Sequence, residues 1–144
     1  MLNISAGKFI WTFTVGFLFC SSLNYGIANF LLNDWAAPLF DGFVRSGDGA
    51  GDFLNITKMS IGFLIPLFVG AWWFSTVQSP SSWVLRAIYT GFMVSLAAFF
   101  GTYTFISGWG NVNWWPLMVT AVCDTGSIIP GLLLIGSLQT LGKR

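Results

Sequence analysis

The chain has 144 residues, of which 55% are hydrophobic and 18% aromatic, while only 8% carry a formal charge. In an ordinary soluble domain about 25% of the residues are charged, so this composition excludes a soluble domain. Residues 9–33 and 59–85 carry no charge, and from residue 87 to 142 the only charged side chain is Asp124. Such stretches indicate membrane-spanning helices, each of which needs about 20 apolar residues.

The same composition excludes several classes of function. The chain has no histidine, which rules out histidine-ligated haem, chlorophyll and copper as well as Ser-His-Asp and Cys-His catalysis. A net charge of +1 without a basic cluster makes nucleic acid an unsuitable partner. The two cysteines, Cys20 and Cys123, are too few for a four-cysteine metal site, and both are predicted to be buried apolar residues. We therefore predict no cofactor, no metal site and no enzymatic activity.

Four apolar segments predict an all-α integral membrane protein, with a single domain over residues 1–144. The predicted transmembrane helices cover about residues 8–32, 56–78, 83–106 and 114–139 and form an antiparallel bundle. Polar turns at 78–82 and 107–111 separate the later spans. The first span is predicted to be retained rather than cleaved as a signal peptide, because Phe19 stands where lipoprotein processing before Cys20 needs a small residue.

The outer loop over residues 33–55 is the longest connection between the predicted spans. Trp35, Leu39 and Phe43 recur in it at four-residue spacing, which is typical of a short helix lying in the membrane interface. An irregular loop whose aromatic side chains enter the headgroup region is the alternative. The acidic stretch 48–52 lacks the ligand spacing and terminal glutamate of an EF-hand, so it does not predict a calcium site.

The basic residues predict that both termini are cytoplasmic, since lysine and arginine concentrate on that side of a membrane protein. If the termini share one side, that side carries Lys8, Arg86, Lys143 and Arg144. The opposite side carries Arg45 and Lys58 among four aspartates. The arrangement is similar to that of small four-span bacterial membrane proteins, which implies a location in the bacterial inner membrane.

Asp124 is the one charged residue deep inside a predicted span. At a rise of about 1.5 Å per residue it lies roughly 21 Å from the inner end of its span, and Asn24 lies roughly 24 Å from Lys8, so the two share a depth. Further polar side chains on the other spans fall within about a turn of that level, Ser60 among them. We therefore predict an intramembrane polar layer consisting of Asp124, Asn24, Ser21, Tyr25, Thr102 and Tyr103.

An ionised aspartate at the centre of a membrane helix costs about 2.5–3.5 kcal/mol, so Asp124 is expected to face other helices. Asp124 belongs to a series of three- and four-residue steps with Thr120 before it and Ser127 and Gly131 after it, and these form a stripe of small residues that allows close helix packing. Two interpretations of Asp124 stay open. It is either a proton or cation site, or a protonated acid that donates one hydrogen bond and fixes the helix register.

Two classes of function fit this sequence. The first is a non-catalytic accessory or structural subunit of a membrane assembly, whose partners are membrane lipid and other transmembrane helices in a homo- or hetero-oligomer. The alternative is a small transporter or channel for a proton-coupled or hydrophobic solute, with Asp124 in its polar centre. Since four helices enclose little volume, transport is expected to require an oligomer.

Overall fold

The computed structural model describes residues 4–32, 53–77, 82–110 and 112–141, and within these ranges the chain is helical and has no strand. Helix α1 (Ala6–Ile27) continues into a π-helical segment, Ala28–Leu32. Helix α2 spans Phe53–Thr76. Helix α3 (Trp83–Ser95), a π-helical segment (Leu96–Gly101) and helix α4 (Thr102–Trp109) follow one another without a break, and α5 spans Trp114–Thr140. The all-α prediction is confirmed for this part of the chain.

These elements form four helical rods: α1 with its π segment, α2, the α3–α4 rod, and α5. Three stretches are long and apolar enough to cross a membrane, namely Ala6–Phe30, Trp83–Trp109 and Trp114–Thr140. Helix α2 contributes a shorter apolar stretch, Ser60–Thr76. The interfacial helix predicted around Trp35, Leu39 and Phe43 and the acidic stretch 48–52 lie outside the described residues.

Local sequence explains several helix ends. The Ser5 hydroxyl accepts a hydrogen bond from the Lys8 backbone N–H at 3.3 Å, and Asn113 Oδ1 accepts one from the Trp115 backbone N–H at 3.1 Å. Both are N-cap contacts that satisfy backbone donors left free in a first helical turn. At the other end of α5, Lys8 Nζ donates to the carbonyl oxygens of Gln139 and Leu141 at 3.1 and 3.0 Å. A cation there also complements the helix dipole.

Helix α5 is the central rod and packs against each of the other three. Two contacts at different levels fix the direction of each rod relative to α5. These contacts are Lys8–Gln139 and Asn24–Asp124 for α1, Leu67–Gly131 and Ser75–Gln139 for α2, and Trp83–Gly136 and Tyr103–Asp124 for the α3–α4 rod. Helix α1 and the α3–α4 rod therefore run antiparallel to α5, while α2 runs parallel to it. The start of α1 and the end of α5 lie at the same end of the molecule.

Small residues allow the rods to approach α5 closely. A Cβ atom on Gly131 would lie 3.0 Å from Cys20 Cβ on α1, and one on Gly91 would lie 2.8 Å from Ile129 Cγ1. In a membrane, where lipid is as apolar as a leucine side chain, such close backbone packing is a main source of helix association. The side chains around these contacts form one buried core that includes Leu67, Ala71, Phe74, Ile128, Leu132 and Ile135.

Candidate functional site

Asp124 joins three of the four rods. Its Oδ1 atom accepts a hydrogen bond from Asn24 Nδ2 on α1 at 2.8 Å, and its Oδ2 atom accepts one from the Tyr103 hydroxyl on α4 at 2.8 Å. The side chain is only 8% exposed. Because both oxygens of the buried carboxylate have a donor, the desolvation cost of the group is partly offset, as buried polar groups require.

Ser127 extends this network by one turn of α5. Its hydroxyl lies 3.5 Å from Asn24 Nδ2, at the outer limit of a hydrogen bond, and donates to the Cys123 carbonyl at 3.3 Å. The Ser127 carbonyl accepts from the Cys20 thiol at 3.0 Å. Asn24 and Cys20 thus tie α1 to α5 at two successive levels, with Asp124 at the level of Asn24.

Side chains from all four rods line a cavity of about 750 Å³ beside Asp124. This volume lies within the range of about 300–1,000 Å³ that small-molecule sites have. The lining residues are Ser21, Asn24, Tyr25, Ala28, Ser60, Gly62, Phe63, Pro66, Ala98, Phe99, Thr102, Tyr103 and Asp124. All six residues predicted for the polar layer are therefore found around one cavity.

The six predicted residues take different positions at this cavity. In the described hydrogen-bond network, Asn24 and Tyr103 contact Asp124 directly. Ser21 is half-buried in the wall, whereas Thr102 is exposed and Tyr25 is 71% exposed. The structure thus separates a buried polar centre from a more accessible rim, a distinction that depth along a helix does not predict.

The cavity lies where the rods depart from regular α-helical geometry. Ala98 and Phe99 belong to the π-helical segment between α3 and α4, and Ala28 belongs to the one that follows α1. Pro66, inside α2, has no backbone N–H and therefore interrupts the hydrogen-bond ladder of that helix. Single π-helical turns inside helices occur frequently at functional sites.

A row of aromatic rings forms one wall. The Phe63 and Phe99 rings are stacked with centroids 5.9 Å apart, and the Phe99 and Tyr103 rings are tilted with centroids 6.2 Å apart. The row ends at the hydroxyl that bonds to Asp124. Among the lining residues that the structure describes, Asp124 is the only acidic one, and none is lysine or arginine.

The predicted packing stripe is divided between two roles. Ser127 and Gly131 are buried against α1, and Gly131 also faces Leu67 of α2. Thr120 is half-buried, and its hydroxyl donates to the Pro116 carbonyl of its own helix at 3.0 Å. The close approach of the rods therefore depends on the residues that follow Asp124, rather than on Thr120.

Sequence reasoning missed a second polar cluster near the opposite end of the molecule. Gln139 is completely buried; its Nε2 atom donates to the Thr12 hydroxyl at 3.3 Å, and its Oε1 atom accepts from the Ser75 hydroxyl at 3.2 Å. The sequence does contain a pattern that predicts this burial, since Gln139 follows Gly131 and Ile135 at four-residue steps and so continues the inward stripe of α5.

Arg86, which the sequence predicts among the basic residues on the side of the termini, packs its side chain inward. Its side chain is buried, with Cζ 4.6 Å from the centroid of the Phe74 ring, and its Nε atom has no hydrogen-bond partner among the residues that the structure describes. A cation over an aromatic face is an established stabilising contact, so the guanidinium packs inward from the first turn of α3.

The side chains that could bind a metal ion are dispersed over the described residues. Cys20 is buried and Cys123 is half-buried, and the described residues contain no group of three or more histidine, cysteine, aspartate or glutamate side chains that could hold a metal ion.

Comparisons with known proteins give no relative. No protein-family model matches the chain, and no similar sequence was found among curated proteins or similar fold among solved structures.

Proposed function

We propose that this chain is a four-helix integral membrane protein of the bacterial inner membrane, with both termini cytoplasmic. Three stretches of spanning length support this, together with the apolar stretch Ser60–Thr76 in α2. Large apolar side chains on the outward faces, such as Leu18, Ile65 and Phe92, suit hydrocarbon rather than water. Lys8 and Arg86 lie at the end of the molecule that the positive-inside rule assigns to the cytoplasm.

Within that membrane we propose that the protein is a small transporter or channel whose solute occupies the cavity beside Asp124. The observation that carries this proposal is a cavity of about 750 Å³ that takes residues from all four rods and has a buried carboxylate in its wall. Apolar sites with a few converging polar groups are the usual form of small-molecule sites. Ionisable residues within membrane spans also commonly mark solute and proton pathways.

A second candidate is the accessory or structural subunit. It is favoured by the outward face of α1, where Ile10, Trp11, Leu18 and Phe19 are all exposed. Such a face suits either lipid or another helix. The mass of the intact particle in a mild detergent discriminates between the two candidates: a small symmetric homo-oligomer supports transport, whereas a hetero-oligomer supports the subunit role.

The cavity itself is tested by filling it. Gly62 lines the cavity and Gly126 does not, and at both positions a Cβ atom would have no neighbour within 4 Å, so Gly62→Phe and Gly126→Phe form a matched pair. The probes are three benzene derivatives of similar size: neutral tert-butylbenzene, the cation phenyltrimethylammonium and the anion benzenesulfonate. Binding to protein in nanodiscs is measured by equilibrium dialysis against empty nanodiscs.

We expect at least one probe to bind the wild-type protein and Gly126→Phe above the level of empty nanodiscs. Gly62→Phe is expected to weaken that binding about tenfold or more, because the phenyl ring takes the space of the ligand. No binding of any probe, or equal binding to both variants, would refute the solute site.

A further inference from the structure

The acidic and aromatic side chains that line the cavity indicate which solute it takes. We propose that the cavity binds a monovalent organic cation with an apolar body, of the quaternary ammonium class. This inference rests on the proposed solute site and specifies its ligand.

The first argument is electrostatic. Among the described residues of the lining, Asp124 is the only acidic one, and none is lysine or arginine. Because the carboxylate is 8% exposed, water screens its charge poorly, and its interaction with a ligand charge is stronger than it would be at a protein surface. A monocation in the cavity would therefore be attracted to Asp124, whereas an anion would be repelled by it.

The second argument comes from the aromatic wall. The rings of Phe63, Phe99 and Tyr103 form a continuous row with centroids 5.9 and 6.2 Å apart, and the row ends at Asp124. The face of an aromatic ring attracts a cation within about 6 Å of its centroid, and quaternary ammonium groups are typical ligands of such surfaces. The same rings provide apolar contact for the body of the ligand.

The third argument concerns hydrogen bonds. Each oxygen of Asp124 already accepts a bond at 2.8 Å, from Asn24 and from Tyr103. A quaternary ammonium ion has no N–H group, so it can approach the carboxylate without displacing either donor. It also leaves no unsatisfied donor of its own in an apolar cavity, which would carry a desolvation cost.

The test compares phenyltrimethylammonium with tert-butylbenzene, which differ only in replacing the quaternary nitrogen by carbon. We expect wild-type protein in nanodiscs to bind the cation at least about tenfold more tightly than the neutral isostere, and benzenesulfonate more weakly than either. Asp124→Asn should remove most of this preference. Thr125→Val is the matched control, because the Thr125 hydroxyl donates only to Ala121 of its own helix at 2.7 Å and does not line the cavity.

Equal affinity for the two isosteres overturns the inference, as does a preference that persists in an Asp124→Asn protein with wild-type thermal unfolding. If that variant does not fold, the comparison of isosteres on the wild-type protein decides alone. Binding of tert-butylbenzene that Gly62→Phe abolishes, without any preference for the cation, would overturn this inference and leave the proposed function standing. Binding of none of the probes would overturn both.

Discussion

Asp124 shows how the chain accommodates an acidic side chain in an apolar environment. Placing an ionised aspartate at a helix centre costs about 2.5–3.5 kcal/mol. Its bonds from Asn24 and Tyr103 each return about 0.6 and at most about 1.7 kcal/mol, as measured for side-chain hydrogen bonds between membrane helices. The two bonds together therefore return about 1.2 kcal/mol on average and offset the full cost only at their upper limit, so a purely stabilising role explains little of the presence of an acid here.

The bond from Tyr103 is tested by removing one oxygen atom. Tyr103→Phe keeps the ring in the aromatic row and deletes the hydroxyl that donates to Asp124 Oδ2. We expect the free energy of unfolding to fall by about 0.6–1.7 kcal/mol, measured by reversible denaturation in mixed micelles. Tyr25→Phe is the control, since Tyr25 also lines the cavity but is 71% exposed. Equal losses for the two variants would contradict the proposed importance of the Tyr103 bond.

At the scale of helices, the predicted spans and the observed elements agree closely where apolar runs end in recognisable caps and turns. The span predicted over 114–139 is the helix Trp114–Thr140, which begins after the Asn113 cap. The span predicted over 83–106 is the continuous rod from Trp83 to Trp109. The π-helical segments within the α3–α4 rod and after α1 were not predicted, because a wider helical turn leaves no mark in composition or hydrophobic period.

The sequence predicts the level at which the candidate site residues lie along their helices, but it does not predict which side of each helix faces its neighbours. The rise per residue places Asn24, Tyr103 and Asp124 at one level, and the structure joins these three by hydrogen bonds. Tyr25 shares that level but is mostly exposed. Which side of a rod faces its neighbours depends on packing between helices, and for α1 that packing is set by close contacts such as Gly16 against Ile135. The uniformly apolar sequence of α1 gives no strong periodic signal for this choice.

Close packing between α1 and α5 gives a prediction of its own. In Gly131→Val the new Cβ atom would lie 3.0 Å from Cys20 Cβ, an atom bonded directly to the backbone of α1, so the two helices must separate. We expect a loss of about 1–3 kcal/mol in the free energy of unfolding, the usual cost of overpacking. Gly126→Val, on the same helix with no neighbour within 4 Å, should change it by less than about 0.5 kcal/mol. A Gly131→Val protein as stable as Gly126→Val would show that the rods are not packed as described.

At the scale of the whole molecule, the four rods differ in packing along their length. In one half, Asn24, Pro66, Ala98 and Asp124 line the cavity. In the other half, each rod enters a dense core whose fully buried members include Cys20, Leu67, Ala87, Ile128, Leu132 and Ile135. Beyond that core lies the Gln139 cluster with its bonds from Thr12 and Ser75.

This asymmetry has a consequence for transport. A solute beside Asp124 would be separated from the far end of the molecule by the packed core, and a close-packed interior leaves no path for it. Passage would therefore require either a second conformation in which the rods separate on the far side, or a path between subunits of an oligomer. The π-helical segment of the α3–α4 rod and Pro66 of α2 are the positions where these rods depart from regular helical hydrogen bonding.

The role of Asp124 in transport is tested most directly by measuring proton flux in proteoliposomes that contain an entrapped pH-sensitive dye. The flux is started by adding the benzene derivative that binds most tightly. We predict a solute-dependent signal for the wild-type protein and for Thr125→Val. In a proton-coupled form of the proposed transporter, the Asp124 carboxylate is the group that would take up or release a proton as the solute binds. We therefore predict no signal above empty liposomes for Asp124→Asn, provided that this variant elutes and unfolds as the wild type does. Wild-type flux in a folded Asp124→Asn protein, or a wild-type signal equal to that of empty liposomes, would contradict the proposed role of Asp124.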